Sequence, residues 1–280
     1  MTTLQQQVDA LFAVGAEVDR EQARACVQQL REALSAGTVR AAEPDASSPS
    51  GWRVNAWVKR GILLAFRVGA TTELPSAGVL RFSDKDTLPL KSFAPGSNAR
   101  VVPGGSSIRD GAFVGRNVIF MPPMYVNIGS YIGDDSLVDS HALVGSCAQI
   151  GARVHLSAAA QIGGVIEPVG ALPVIVEDDV MIGGNCGVYE GAVIKRRAVL
   201  ASGTVITRST PVYDTVNGRI ITAPPDGPLV IPEGAVVVPG SRPVTSGHGA
   251  AWQLSVAAPV IVKYRDEKTD ARTALEQWIR

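Results

Sequence analysis

The sequence predicts a mainly β fold: a parallel β-helix of hexapeptide repeats, preceded by a helical region and closed by a C-terminal cap. Three observations predict it. Every sixth residue from Val102 to Ile162 is apolar, through Ile108, Val114, Phe120, Val126, Ile132, Val138, Val144, Ile150 and Leu156, and the beat resumes at Val176, Ile182, Val188, Ile194, Leu200 and Ile206. Four residues after each beat the side chain is mostly small, as at Ala112, Ser130, Ser136, Ala142, Ala148, Ala160, Cys186, Ala192 and Ala198. Directly after the beat, Gly or Asn is frequent, as at Gly115, Asn127, Gly133, Gly145, Gly151, Gly163 and Gly183. A period of six matches neither the helical 3.6 nor the alternation of a long strand. It matches short strands with a corner after each, so that the chain stacks lap upon lap.

Each position has a physical task. The branched beat residue suits a buried pleated surface. The small residue faces inward near the corner. The Gly or Asn is expected to supply the corner's unusual backbone angles. Laps should lie about 4.8 Å apart, the spacing of paired strands.

Around that rod the chain divides into residues 1–98, a helical and α/β region; 99–240, the β-helix; and 241–280, a hairpin with a capping helix. EQARACVQQLREAL (21–34) places Ala25, Val27, Leu30 and Leu34 near one helical face. AAEPDASSPS (41–50) reads as a polar linker, and GWRVNAWVKRGILLAFRV (51–68) as a strand running into an apolar helix. EPVGALP (167–173) interrupts the rod, putting fourteen residues between Ile162 and Val176 where twelve would keep time, and reads as a loop thrown from one corner. The tail DEKTDARTALEQWIR (266–280) is expected to cap the last apolar layer as a helix.

Composition narrows the function. Lys and Arg number 26 against 26 Asp and Glu, which removes a general electrostatic case for nucleic acid or an anionic membrane. Cys26, Cys147 and Cys186 lack metal-ligand spacing and point to a reducing compartment. Without a signal-peptide pattern or an apolar run of membrane-spanning length, the expectation is a soluble cytoplasmic protein.

Specific motifs go further than periodicity. YVNIG, VGSCAQIG, VHLS and IGGVIEP follow one another between Tyr125 and Pro168, and this run strongly resembles the core of the tetrahydrodipicolinate N-succinyltransferase family. GWRVNAWVKRGILLAFRV, RVVPGGSSIRDGAFVGRNVIFMP and VIVKY have counterparts there too, so the resemblance covers nearly the whole chain. The resemblance implies a left-handed winding, a homotrimer with active sites between subunits, and transfer of a succinyl group from succinyl-CoA to an amine. The acceptor it implies is 2-amino-6-oxopimelate, the opened form of tetrahydrodipicolinate, a small dicarboxylate. Acyl-CoA enters as a co-substrate; no tightly bound cofactor and no metal is implied.

Site residues are carried over position by position. Asp139, in LVDSHAL, matches an acidic family residue that contacts the amine, where the local alternative is an Asx-type corner. Arg100, in ARVVPG, matches an arginine that binds a substrate carboxylate. The CoA site is placed along the later laps. Lys195 and Arg208, beside Arg196 and Arg197, would meet phosphates, while Ala201, Ser202 and Gly203, with Gly163, Gly164 and Asn185, would line the pantetheine groove. A solvated basic corner is the competing reading of the same stretch. The EPVGALP loop is expected to fold over a neighbour's site, and His155 is read as a wall residue.

Departures from the family pattern cluster in what should be one pocket. Gly187 stands where a second catalytic carboxylate is usual, Asn185 where an arginine is common, His141 where a tryptophan is usual, and Ala158, Ala159, Ala160 and Gln161 where glycines follow VHLS. One reading makes Glu190 or His141 the replacement proton-handling group. Another makes acetyl-CoA the donor, as in a paralogue of tabtoxin-type biosynthesis, and a third makes the chain an inactive relative. Only His141, His155 and His248 are present, without paired spacing, which argues against a zinc carbonic anhydrase. Varied outward positions argue against a non-catalytic rod.

Overall fold

The computed structural model describes residues 2–74, 81–94, 96, 97 and 99–266. Nearly every beat residue becomes the inward-facing second residue of a short strand, and successive strands fall on three sheets in rotation. The first face carries Val114, Ile132, Ile150, Val176, Ile194 and Ile231. The second carries Val101, Phe120, Val138, Leu156, Ile182, Leu200 and Val237. The third carries Ile108, Val126, Val144, Ile162, Val188 and Ile206. Parallel partners such as Ile132 and Ile150, or Val138 and Leu156, are eighteen residues apart, one full lap. Ile132, Val138, Val144, Ile150, Leu156 and Ile162 are fully buried, as are the small residues Ala112, Ala148, Ala160, Ala192 and Ala198.

Three corners separate the faces. We name them the charged corner (first to second face), the Asp139 corner (second to third) and the loop corner (third to first). The corners do not work as expected. The left-handed backbone lies three residues after the beat, at Asn117, Asp135, His141, Cys147, Arg153, Ala159, Asp179, Asn185 and Arg197, and the glycines directly after the beat are not left-handed. Most left-handed residues send their N–H down to a carbonyl of the previous lap: His141 to Pro123, Ala159 to Ser140, Asn185 to Ala158. The glycines serve close approach instead. A Cβ on Gly133 would lie 2.6 Å from the nitrogen of Ala152, and one on Gly183 2.6 Å from that of Ser202.

Three further corrections concern register. The second face begins at Val101, paired with Phe120, so Val102 is one residue out of phase. Ile162 and Val176 sit on adjacent faces, where six residues would suffice, so the insertion between them is eight residues and not two. In the helix Arg20–Ser35 the buried face is Ala23, Cys26, Val27, Leu30 and Leu34, with Ala25 exposed.

The N-terminal region forms helices α1 (Leu4–Ala13), α2 (Arg20–Ser35) and α3 (Ala56–Val68), with a two-stranded ribbon pairing Ala42–Pro44 with Trp52–Val54. Thr3 and Gln6 close α1 with a capping box. The helices share a core that includes Ile128 and Cys147 of the loop corner, with Ile166 packed against it, so this region is fused to the rod's flank. At the far end, Val260–Tyr264 runs antiparallel to Ala235–Val238, and Val212–Asp214 and then Arg219–Ile221 extend the second face beyond it. Buried Asp214 clamps this end by accepting hydrogen bonds from Asn217, Arg219 and the Tyr264 hydroxyl, which hold its carboxyl down at about 2 against the opposing effect of burial. The expected capping helix lies beyond Asp266, outside the described residues. Among the described residues no helix is long and apolar enough to cross a membrane.

Candidate active site

Asp139 leaves the second face directly after inward-facing Val138. It is half-buried, and its Oδ1 accepts the Ser140 N–H at 2.7 Å, so the Asx-type corner is real. That bond uses one oxygen. Among the described residues Oδ2 accepts none, and a carboxylate tied down on one side keeps a fixed acceptor on the other. On the strand above, His155 pairs in register with Leu137. Among the described residues its Nε2 is buried without a hydrogen-bond partner. Burial pushes the imidazole below its ordinary value, while the nearby Asp139 carboxylate opposes that shift. His141 is exposed and left-handed, with its carbonyl held by the Gln161 amide at 3.1 Å.

Above these residues the Asp139 corner is built of small side chains. Ala158 and Ala159, Gly183 to Asn185, and Ala201 to Gly203 stack on successive laps, linked by Asn185 N–H to Ala158 O and Gly203 N–H to Gly184 O. Among the described residues the backbone N–H groups of Gly184 and Ser202 have no protein acceptor. Arg100 is exposed on the lowest strand of the second face, two strands from the one that leads into Asp139. The fold therefore gathers Asp139, His141, Asn185, Ala201, Ser202 and Gly203 on one corner, with Arg100 on the adjoining face.

The remaining candidates lie elsewhere. Gly163, Gly164, Glu190 and Arg208 line a cleft of about 840 Å³ at the loop corner, walled by Trp52 and Leu172. Glu190 accepts the Arg208 N–H at 3.1 Å. The Arg208 guanidinium donates to carbonyls of Pro224, Pro225 and Gly227, so it staples two loops together and is not poised for phosphates. Gly164 packs against the Gly145–Ser146 backbone of the lap below. Lys195 sits on the charged corner, where its Nζ donates at 2.8 Å to both Glu177 and the Ser50 carbonyl, fastening the linker to the rod. The basic stretch 193–210 is thus spread over three corners because consecutive hexads face different ways.

The EPVGALP loop is held to α3 on its inner side. Fully buried Lys59 of α3 donates to the Ala171 carbonyl at 2.5 Å, and Ile166 packs into the helical core. The loop is pinned to its own chain. Gly187 has a steric explanation: a Cβ there would overlap the Tyr189 ring and lie 2.9 Å from its hydroxyl. No side chain fits at 187 while Tyr189 lies across it. Periodicity gave Tyr189 no role, since only the three-dimensional pairing of Gln161 with Gly187 reveals the gap it fills. Among the described residues no cluster of three His, Cys, Asp or Glu could hold a metal ion.

Comparison with known proteins agrees with this architecture. Residues 3–68 match a family model described as the tetrahydrodipicolinate N-succinyltransferase N-terminal region, and residues 173–208 match the hexapeptide repeat of succinyl-transferase. A 2,3,4,5-tetrahydropyridine-2,6-dicarboxylate N-succinyltransferase from Polynucleobacter asymbioticus is 41% identical over 261 residues, covering 92% of this chain and 90% of the relative. The chain belongs to the tetrahydrodipicolinate N-succinyltransferase family. A second member, from Rhodopseudomonas palustris, is 39% identical over 285 residues, covering 100% of this chain and 97% of its own. A solved hexapeptide-repeat acetyltransferase from Vibrio cholerae superposes over 45% of this chain and 67% of that chain at 22% identity, with a TM-score of 0.32.

Proposed function

We propose that this protein is a CoA-dependent N-acyltransferase that moves a succinyl group from succinyl-CoA to the amine of 2-amino-6-oxopimelate. The observation that carries this reading is the 41% identity to an N-succinyltransferase across 92% of the chain, which takes in the helical region and the rod alike. In this mechanism the open oxygen of Asp139 binds the acceptor's ammonium group and takes a proton from it. The freed nitrogen attacks the thioester carbonyl carbon, forming the C–N bond and placing the electron pair on oxygen. The unpaired N–H groups of Gly184 and Ser202 supply donors for that oxyanion. Collapse then breaks the C–S bond; CoA leaves as the thiol by taking up the proton held on Asp139, and the second proton, which the nitrogen sheds as the amide forms, passes to water. Arg100 is suited to an acceptor carboxylate through paired N–H donors.

The fuller reading has the rod wound left-handed, three copies associated in the cytoplasm, and each site shared by two copies. What supports the sharing is separation. The Asp139 corner and the Glu190 turn border opposite edges of the third face, two strand steps or about 10 Å apart along the rod and a full face width apart across it. One small acceptor cannot touch both on a single chain, but a neighbour's edge can close the gap. Sedimentation equilibrium should return three chains per particle; a monomer at working concentration would overturn the shared site.

A second reading, with acetyl-CoA as donor, is favoured by one observation. The laps of the Asp139 corner at 139–142, 157–160, 183–186 and 201–204 contain neither Lys nor Arg, so this corner offers no cation to a succinyl carboxylate. A thiol-release assay with each thioester separates the two. Preference for succinyl-CoA is expected, and a preference for acetyl-CoA above roughly tenfold, about 1.4 kcal/mol, would overturn it.

A further inference from the structure

Tyr189 begins the turn of the loop corner, yet its ring does not stay there. It lies back across the third face, over Gly163 of one lap and Gly187 of the next. A Cβ on Gly163 would come within 2.8 Å of the ring, and one on Gly187 within 2.9 Å of the hydroxyl. Both positions beneath the ring are glycine. Gly187 lies within the strand Gly187–Val188, and glycine inside a strand weakens it by roughly 0.5–1 kcal/mol relative to alanine, so seating this one ring carries a cost in stability.

The hydroxyl so placed is unemployed. Tyr189 is half-buried, and its phenol makes no hydrogen bond among the described residues. The neighbouring carboxylate of Glu190 is turned to the Arg208 N–H and does not compete for it. Directly beneath Gly187 in the ladder, Gln161 reaches the other way, donating to the carbonyls of His141 and Ala159 on the Asp139 corner. Thus the phenol is carried from the loop corner onto the very face whose opposite edge bears Asp139.

We propose that the Tyr189 phenol is an acceptor-binding group, donating a hydrogen bond to a carboxylate of the dicarboxylate amine. This rests on the acyltransferase reading above. A neutral phenol is an apt donor here because it meets a carboxylate oxygen with one directed O–H and needs no counter-charge on the half-buried face. Gly187 is then the residue that admits it, and the missing side chain at 187 marks a changed substrate contact and not a dead site.

Steady-state kinetics on the full chain tests this, with the acceptor and the acyl-CoA varied separately. Tyr189→Phe keeps the ring and its packing while removing the donor. The expected result is an acceptor KM raised about tenfold or more, with the acyl-CoA KM and the melting temperature unchanged. Gly187→Ala should displace the ring and raise the acceptor KM in the same direction. An acceptor KM for Tyr189→Phe within twofold of the parent would overturn the assignment, as would an unaltered acceptor KM in folded Gly187→Ala. A parent protein that turns over neither thioester would overturn the acyltransferase reading and this inference with it. A parent that turns over normally beside an unaffected Tyr189→Phe would overturn only the inference.

Discussion

Asp139 and His155 make opposite demands on one small volume, and each yields a test. Asparagine at 139 keeps the Oδ1 acceptor for the Ser140 N–H but cannot take a proton. Asp139→Asn should therefore melt like the parent while kcat in the thiol-release assay falls about a hundredfold or more. For His155, burial depresses the folded-state pKa. Above the unfolded value of about 6.5 both states are neutral; below it the unfolded chain binds a proton that the fold refuses. Stability is thus present above about 6.5 and is lost as pH falls through the lower folded value. His155→Met, matching Met181 on the strand above, should flatten the fall in Tm between about pH 7 and pH 5. An identical fall in the variant would show that other groups govern this range.

At the scale of elements, the glycines distinguish close approach from mere looseness. A Cβ at Gly145 would collide with the backbone nitrogen of Gly164, which cannot step aside without parting two laps. Gly170, in the inserted loop, has nothing within 4 Å of such an atom. Thermal melting should show Gly145→Ala destabilised by about 3 kcal/mol or more, with Gly170→Ala nearly silent. Equal effects would mean that the laps are not packed as described. The corner glycines also mark where sequence reading stopped short. Their recurrence was visible, but the alternative causes, a special φ or a neighbouring backbone, leave the same letter in the chain. Only the positions of Asn117, Asp135 and Arg153, which are left-handed without being glycine, tell the two apart.

For the whole molecule, the rod, its flanking helices and the Asp139 corner were legible because each follows from a local period or a local motif. Val138 and Leu156 announce a shared face by spacing alone. The division of Lys195, Glu190 and Asn185 among three corners was not legible. In a straight reading these residues look like neighbours, although the three successive hexads to which they belong turn them onto different corners. The same blindness hid the pinning of Ala171 by Lys59, a contact spanning 112 positions of chain. Tyr189 was missed for a related reason, since its meaning lies in the two side chains that are absent beneath it.

Beyond the first strand of the second face, partners one lap apart are eighteen residues distant where no loop intervenes, and this has an engineering consequence. Such a spiral staircase can be edited safely only in complete revolutions. Duplicating one block of that length should raise everything beyond it by about 4.8 Å while preserving every bearing. Excising six residues would instead swing the upper storey through a third of a revolution, bringing a different edge round above Asp139.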